Sequence, residues 1–181
     1  MPNWCVNTLT ITGPAKDIAA FKAKAKIDKV EFSFEPFLPF PKELNDLHTG
    51  NIMIDGVQYG RWVTINGRDV GLTQENLEAL QQRVGYKDWH ARNSAVLGTK
   101  WDVDGHLVDS SKEALIYTFD SAWSPPIDGV TKVSEQYPKL EFLLSYDEPG
   151  ADFAGDYTVK NGEELSHDQS ASKLAQEPEE G

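Results

Sequence analysis

The stretch Trp4-Cys5-Val6-Asn7-Thr8-Leu9-Thr10-Ile11-Thr12 has a period of two. Every second residue from Cys5 to Ile11 falls on one side of an extended chain, and the residues between them fall on the other. Because many of these residues are β-branched as well, the stretch predicts a β-strand with one buried face and one more open face. Asn7 then places an amide among apolar neighbours, so it must find hydrogen-bond partners there.

The residues that follow predict helices and further strands. Gly13-Pro14 ends the first strand, and proline at a first helical position favours a helix after it. A second helix is predicted after Ser124-Pro125-Pro126, with Ser124 as its N-cap and Pro138 beyond its end. Further strands are predicted at residues 30–34, 98–102, 114–119, 140–146 and 153–159, and a polar loop is predicted at residues 107–112.

An insertion at about residues 48–71 has the signature of β-hairpins. The dipeptides Asp55-Gly56 and Asn66-Gly67 lie between β-rich runs, and both favour the backbone of tight hairpin turns. A helix is predicted next, with Thr73 as its N-cap and Gly85 just after its last turn.

This order of elements predicts an α+β fold of ferredoxin-like design. Strands separated by single helices and short hairpins are typical of the split β-α-β plan, which is an antiparallel sheet with helices packed on one face. We expect this domain to occupy residues 1–160. Residues 161–181 are polar and acidic with few apolar side chains, so a disordered acidic tail is expected there.

The charge of the chain narrows the classes of partner. The net charge is −12 over 181 residues, and half of it falls from Gly150 onward, where eight acidic residues outnumber two basic ones. Because most affinity for nucleic acid comes from its phosphates, direct binding along a basic face is disfavoured.

The location of the protein is predicted from what the sequence lacks. No stretch reaches the roughly 18 apolar residues of a membrane helix, and the N-terminus lacks the pattern of a signal peptide. The single cysteine, Cys5, cannot form a disulfide within the chain, which fits a reducing compartment. We therefore expect a cytoplasmic protein of a bacterial host that does not bind membranes.

Several motifs resemble those of one family. They occur in a fixed order: Met1-Pro2-Asn3-Trp4-Cys5-Val6-Asn7-Thr8-Leu9, then Gly98-Thr99-Lys100-Trp101-Asp102, then Phe119-Asp120-Ser121-Ala122-Trp123-Ser124-Pro125-Pro126, and a run from Tyr137-Pro138 to Phe153-Ala154-Gly155. In this order the chain resembles the YubB-type ferredoxin-like proteins of phages and conjugative plasmids. The resemblance implies a ferredoxin-like fold and an origin in a mobile genetic element. It implies no established activity and no catalytic residues.

One candidate binding group lies in the predicted strand at residues 98–102. Lys100, Trp101 and Asp102 combine a cation, an aromatic ring and a carboxylate, a combination that suits contact with a ligand or a partner. In the alternative interpretation, Trp101 packs in or beside the core while Lys100 and Asp102 are solvated or paired.

Two further candidate groups lie at the ends of other elements. Trp123 and Ser124 lie where a strand meets a helix, whose free N–H groups could receive an anion; a capped helix with no ligand is the alternative. Trp4 and Asn7 lie at the start of the first strand. A structural hydrogen bond from Asn7 to a neighbouring loop is the alternative there.

Catalysis and cofactor binding find no support in the sequence. Cys5 has no adjacent base that would activate it as a nucleophile, and the four histidines lack metal-ligand spacing. Residues 102–113 begin like a calcium loop, but Leu107 stands where such a loop needs glycine. We expect a protein that is not an enzyme and that holds no metal or cofactor.

The leading functional hypothesis is a non-enzymatic accessory protein of a phage or plasmid that binds a host or phage protein. Small size, negative charge and the family resemblance favour an inhibitor of a host defence system. Its carboxylates would occupy a basic nucleic-acid channel of the partner, and the candidates are Asp102, Asp104, Asp109, Asp147, Glu148 and Asp152.

The alternative hypothesis is a small ferredoxin-like module that binds nucleic acid or a nucleotide near Lys100, Trp101 and Trp123. Modules of this kind stack bases on aromatic residues of an open sheet face. The predicted open-face residues are Thr8, Thr10, Thr118 and Ser145, none of which is aromatic. That prediction weakens the alternative.

Overall fold

A computed structural model describes residues 3–176 and divides the chain into two compact units. The sheet unit comprises Met1–Pro39 and Asn93–Gly181, and the inserted unit comprises Phe40–Arg92. In chain order the elements are β1 (Trp4–Thr12), α1 (Ala15–Ala25), α2 (Lys42–Asn45), β2 (Leu47–Ile54), β3 (Val57–Ile65), β4 (Arg68–Gly71), α3 (Gln74–Val84), α4 (Trp89–Val96), β5 (His106–Ser110), β6 (Ala114–Ala122), α5 (Ile127–Gln136), β7 (Glu141–Glu148), β8 (Phe153–Lys160) and β9 (Glu163–Ser170), followed by one turn of 3₁₀ helix at Leu174–Gln176. None of the described helices is long and apolar enough to cross a membrane.

The sheet unit is a six-stranded antiparallel sheet in the order β5-β6-β1-β7-β8-β9. The succession β1-α1-β5-β6-α5-β7 is the β-α-β-β-α-β plan that the sequence predicted, and β8 and β9 extend the sheet beyond β7. The first strand lies in the middle, between β6 and β7, so its alternating residues define both faces of the sheet.

Helices α1 and α5 cover one face of this sheet and bury its apolar side. Every second residue of β1 from Cys5 to Ile11 is buried, as its alternation predicted. Phe21 of α1 lies at the centre of an aromatic cluster, 4.9 Å from Phe37 and 5.7 Å from Phe142 between ring centroids. The opposite face carries no helix of the sheet unit among the described residues, and Thr8 and Thr10 are half-buried on it.

The predicted strands at residues 30–34 and 98–102 are wrong. The first is an irregular segment whose regular pairing is limited to bridges such as the one between Phe32 and Gly105. The second is a series of turns and bends. Phe32 and Phe34 are buried in the core although their backbone is not in a sheet. The strand of this region is β5, where a polar loop was predicted, because an exposed edge strand needs no apolar alternation.

The predicted disorder of residues 161–181 is wrong for its first part. Strand β9 pairs with β8 along its length, and His167 inserts a ring between two tyrosines, 5.2 Å from the Tyr157 ring centroid and 2.8 Å from the Tyr146 hydroxyl. Backbone pairing satisfies the polar groups of a strand whatever its side chains are. Residues 177–181 of the predicted tail lie outside the described residues.

The inserted unit is a small three-stranded sheet, β2-β3-β4, followed by α3. Both predicted hairpin turns are present, with positive φ at Asp55-Gly56 and at Asn66-Gly67. Thr73 and Asn76 form a capping box at the start of α3, and Gly85 ends the helix with a φ of 84°. The unit spans Phe40–Arg92 and is therefore longer than the predicted hairpin insertion.

Candidate binding surface on the open sheet face

The open face of the sheet exposes large apolar side chains at the start of β1. Trp4 is 48% exposed and Val6 is 44% exposed. Their position follows from the alternation of β1, because the buried face takes Cys5 and Asn7. The open-face residues weighed against base stacking, Thr8, Thr10, Thr118 and Ser145, leave out Trp4, which belongs to this face.

A second tryptophan comes to Trp4 from the segment before β5. The ring centroids of Trp4 and Trp101 are 6.1 Å apart at an angle of 40°, and Trp101 is 39% exposed. The Nζ of Lys100 lies 4.6 Å from the Trp101 ring centroid, within the range of a cation–π contact. Trp101 is therefore not buried in the core, and of the alternative interpretation only a position beside the core is compatible with its exposure.

Hydrogen bonds of two buried side chains fix the backbone of the segment that carries Trp101. The Asn93 side-chain amide donates to the Lys100 carbonyl at 2.9 Å, and the Thr99 hydroxyl donates to the Ala122 carbonyl at 2.8 Å. Asn93 and Thr99 are both buried. Buried polar contacts of this kind hold the segment in one conformation, so the Trp101 ring is presented to solvent by a rigid support.

Asp102 has a structural role. Its carboxylate accepts hydrogen bonds from the Ser33 hydroxyl at 2.6 Å and from the backbone N–H groups of Phe34 and Glu35 at 2.9 and 3.0 Å. These bonds organise the irregular segment that carries Phe34 into the core. Asp102 is exposed, but its oxygens are already used in these hydrogen bonds.

Trp123 is exposed and has a strained backbone. Its φ is 73° and its exposure is 51%. The left-handed region is unusual for a bulky L-residue and costs free energy. The Trp123 N–H donates to the Asn3 carbonyl at 3.0 Å, which places its backbone beside the start of β1.

Ser124 is not the N-cap of α5. The N-cap position is occupied by Pro126, and the Ser124 hydroxyl donates instead to the Gly98 carbonyl at 2.6 Å. The bond ties the end of β6 to the segment that presents Trp101. Ser124 therefore helps to hold the backbone that carries Trp101 in place.

Asn7 is the buried amide that the sequence predicted, and it has partners. It donates to the Cys5 carbonyl at 2.7 Å and to the Ser121 hydroxyl at 2.9 Å, with a longer bond of 3.3 Å to the Phe119 carbonyl. These bonds join β1 to β6 inside the core. Asn7 therefore has a structural role, with partners on strands β1 and β6 rather than on a neighbouring loop.

Cys5 is unsuited to nucleophilic chemistry. It is fully buried, and burial raises the pKa of its thiol to about 12. The thiolate is the reactive form, so the thiol is inert near neutral pH. Among residues 3–176, no group of three or more His, Cys, Asp or Glu side chains is placed to hold a metal ion.

A groove of about 550 Å³ begins at Val6 and runs across the open face toward β9. Its far wall is the chain after β9, including Lys173 and Leu174. That wall is fixed to β7, because Asp147 accepts hydrogen bonds from the Ser172 hydroxyl and from the backbone N–H of Lys173. The floor carries the carboxylates Asp156 and Asp168.

The sequence-based prediction missed this groove because it treated β9 as disordered. The available signal was the dipeptide Asn161-Gly162, in which both residues have positive φ and turn β8 into β9. An Asn-Gly pair is among the strongest short-range signals of a hairpin. The polar composition after it concealed the strand.

Comparison with known proteins gives the fold but no activity. Residues 100–180 match the model of a family described as "Ferredoxin-like domain in Api92-like protein". The fold is ferredoxin-like. The crystal structure of protein api92 from Yersinia pseudotuberculosis is similar to this chain with a TM-score of 0.57 and 14% sequence identity, over 95% of this chain and 99% of that one. No curated protein matches the chain.

These similarities support only part of what the family resemblance implies. They support a ferredoxin-like fold, in agreement with the resemblance of the motifs at residues 98–102 and 119–126. Relation to the YubB-type proteins and an origin in a phage or plasmid stay predictions. At 14% identity, the likeness to api92 indicates the fold alone.

Proposed function

We propose that this protein is a non-enzymatic binding module that recognises another protein through the tryptophans of its open sheet face. The observation that carries the proposal is the pair Trp4 and Trp101, two neighbouring and exposed indole rings at the start of β1. Tryptophan is enriched among the residues that dominate protein–protein affinity. Exposed apolar patches on a soluble protein commonly mark interaction sites.

Trp123 supports the same proposal. A residue held in a rare backbone conformation persists only where its surroundings enforce it, and such residues cluster at functional sites. Trp123 is held in this way with its ring half exposed. Because Ser124 and Thr99 fix the neighbouring backbone, the surface is preorganised, which lowers the entropy lost on binding.

The partner that we propose is a host protein, and the effect is inhibition of a host defence system. Acidic charge supports this form of the proposal, because strand β9 carries Glu163, Glu164 and Asp168 on the folded sheet unit. Of the carboxylates considered from the sequence, Glu148 is buried and accepts from the Ala151 N–H. Asp102 and Asp147 are bonded within the chain, Asp102 to residues 33–35 and Asp147 to residues 172–173.

The test is capture of a partner from bacterial lysate by the tagged chain, with a variant that removes the indole pair. We expect Trp4→Ala with Trp101→Ala to weaken binding of a captured protein at least about thirtyfold, as the loss of a central interface residue does. Val108→Ala, which truncates a residue that is 62% exposed on β5, is the matched control. Retention of the same partner by the double variant would refute the proposal.

The defence hypothesis has a test of its own. Expression of the chain should restore plating of a phage that a restriction or CRISPR system excludes. The Trp4→Ala, Trp101→Ala variant should lose this effect while Val108→Ala keeps it. If no defence system tested is relieved although a specific partner is captured, binding stands and its anti-defence role does not.

A second candidate function, binding of single-stranded nucleic acid, is favoured by one observation. Lys100 lies over Trp101 beside Trp4, and aromatic rings with a nearby cation are a common platform for stacked bases. The carboxylates Asp120 and Asp147 beside Val6 oppose it, since they repel phosphates. Binding of a 12-nucleotide poly-U or poly-dT strand at low salt, lost in Lys100→Ala, would establish this function instead.

A further inference from the structure

The pairing register places the acidic side chains of the open face in two rows that cross the sheet. One row passes from Asp120 of β6 through Val6 of β1 to Asp147 of β7. The next row passes from Thr8 through Ser145 to Asp156 of β8 and Asp168 of β9. The apolar start of β1 therefore has carboxylates on both sides.

These carboxylates lack cationic partners within the described part of the chain. No lysine or arginine nitrogen lies within 4.0 Å of Asp120, Asp156 or Asp168. Lys173 is the basic side chain among the residues that line the groove. The surface is thus apolar at its Trp4 end and anionic along its floor.

Asp156 and Asp168 repel one another. They are direct cross-strand partners on β8 and β9, and like charges placed opposite each other in a sheet are destabilising. Asp156 accepts a hydrogen bond from Ser145, which orients its carboxylate but leaves its charge. A cationic group placed between them would remove the repulsion, so binding of a cation is favoured there.

The dimensions of the surface suit an extended polypeptide. From β1 to β9 the groove crosses three strand spacings, or about 15 Å at roughly 4.8 Å each. Trp4 lies beyond Val6 at the end of the groove, and Asp156 and Asp168 lie in the row of Thr8, four residues or about 13 Å along β1 from Trp4. The direct distance from Trp4 to these carboxylates is therefore about 16–20 Å, which an extended chain covers in about five or six residues. A peptide could thus place an apolar side chain on Trp4 and Trp101 and a basic side chain on Asp156 and Asp168 at the same time.

We propose that this groove binds a basic, extended segment of the partner protein. An aromatic or aliphatic side chain packs on Trp4 and Trp101, and a lysine or arginine about five or six residues away neutralises Asp156 and Asp168. The inference rests on the proposed protein-binding function and specifies its ligand. The occupant is basic rather than acidic or purely apolar because charge complementarity fixes orientation and suppresses other partners.

The test uses a displayed library of random 12-residue peptides selected on the full chain. We expect selected peptides to share an apolar residue followed or preceded, at a spacing of about five or six residues, by lysine or arginine. Their affinity should fall as salt is raised from 50 to 300 mM (about threefold or more) because exposed charges are screened. Selection of no peptide, or of peptides without basic residues, would overturn the inference.

Variants separate a binding role of the carboxylates from a structural one. Asp156→Asn with Asp168→Asn should weaken a selected peptide about tenfold and should not lower the stability of the chain, since it removes a repulsion. The control is Asp55→Asn with Glu75→Gln in the inserted unit, which removes the same charge elsewhere. Equal affinity for both double variants would contradict the proposed ligand.

Failure of this inference can be distinguished from failure of the proposed function. If Trp4→Ala with Trp101→Ala abolishes partner capture but the aspartate variant retains it, the protein binds through its tryptophans and the basic ligand is wrong. If neither variant affects capture, both the surface and its ligand are wrong.

Discussion

Trp123 combines exposure with backbone strain, and its energetic cost can be measured. At a φ of 73°, an L-residue loses roughly 1–2 kcal/mol that glycine does not lose, and the lower conformational entropy of unfolded alanine offsets about half of this. We therefore expect Trp123→Gly to be more stable than Trp123→Ala by about 0.5–1 kcal/mol in urea unfolding.

The same pair of substitutions at Met53 provides the control. Met53 is exposed and pairs with Gln58 in a regular part of β2, where glycine is the less stable residue by roughly 0.5–1 kcal/mol. Opposite orders at the two sites would establish the strain. If alanine is also the more stable residue at position 123, Trp123 is unstrained and one support for the binding surface is lost.

Two buried groups make the protein sensitive to alkaline pH. Burial raises the pKa of Cys5 to about 12 and that of Tyr117 to about 12. Both groups are neutral in the folded protein, so their contribution to stability is complete below their unfolded pKa values, near 8.5 and 10. It is lost as the pH rises toward 12, with a slope of up to about 1.4 kcal/mol per pH unit for each group.

Cys5→Ala isolates the thiol from the tyrosine. Between pH 8 and pH 10, the unfolding free energy of the natural chain should fall by about 2 kcal/mol more than that of Cys5→Ala, since only the natural chain gains a thiolate on unfolding. Urea unfolding at pH 7, 8, 9 and 10 measures both. Parallel pH profiles would show that the thiol ionises equally well in the folded protein.

At the scale of single residues, the sequence predicts which face of a strand a residue lies on better than it predicts how exposed a side chain is. The alternation of β1 placed Asn7 inside and Trp4 outside, because a strand has a strict period of two. Trp101 was harder, since its exposure depends on the long-range bonds of Thr99 and Asn93 rather than on any local pattern. Distant contacts of that kind cannot be inferred from neighbouring residues.

At the scale of helices and strands, predictions succeeded where capping residues mark the ends of an element. They failed where burial of side chains in the core determines the backbone conformation. Thr73 and Gly85 mark the two ends of α3, because the Thr73 side chain caps its first turn and Gly85 adopts the left-handed backbone that ends it. The segment at residues 30–34 has the apolar content of a strand, yet its phenylalanines enter the core from an irregular backbone. Strand β5 has an edge position and a bulge instead of alternation.

Strand β9 is the element with the most direct test. A chain that ends at Lys160 loses the pairing of β9 with β8 and the contacts of His167 with Tyr146 and Tyr157. One hydrogen bond and one aromatic contact are each worth about 1 kcal/mol, so stability should fall by at least about 2 kcal/mol. Amides of β8 should also lose protection from hydrogen exchange.

A chain that ends at Gln176 is the control for that truncation. It keeps β9 and the segment from Ser172 that Asp147 and Asp152 hold, so its stability and amide protection should equal those of the full chain. If the shorter chain is equally stable, β9 contributes nothing to the fold, and the groove that it walls is not a fixed feature.

At the scale of the whole molecule, the two units differ in charge. The inserted unit Phe40–Arg92 contains seven acidic and six basic residues, so it accounts for −1 of the net charge of −12. The remaining −11 belongs to the sheet unit, which comprises Met1–Pro39 and Asn93–Gly181. This is the distribution expected if recognition of a basic partner is a property of the sheet unit.

Removal of the inserted unit should therefore leave both the fold and the binding surface. All six strands of the large sheet and both helices that cover it lie outside Phe40–Arg92, so replacing those residues by a Gly/Ser linker removes no strand from the sheet, although it cuts α4 between Arg92 and Asn93. Of the five tryptophans, Trp62 and Trp89 are lost and Trp4, Trp101 and Trp123 remain. The tryptophan fluorescence of the shortened chain then comes from the proposed surface alone.

We expect the shortened chain to unfold cooperatively in urea. Its emission should change when a selected basic peptide binds, and Asp156→Asn with Asp168→Asn should abolish this change. Linkers of graded length guard against strain at the junction. If the shortened chain unfolds without cooperativity at every linker length, the inserted unit is required for the core. If the chain folds but its emission does not change when the peptide binds, the peptide binds away from the tryptophans.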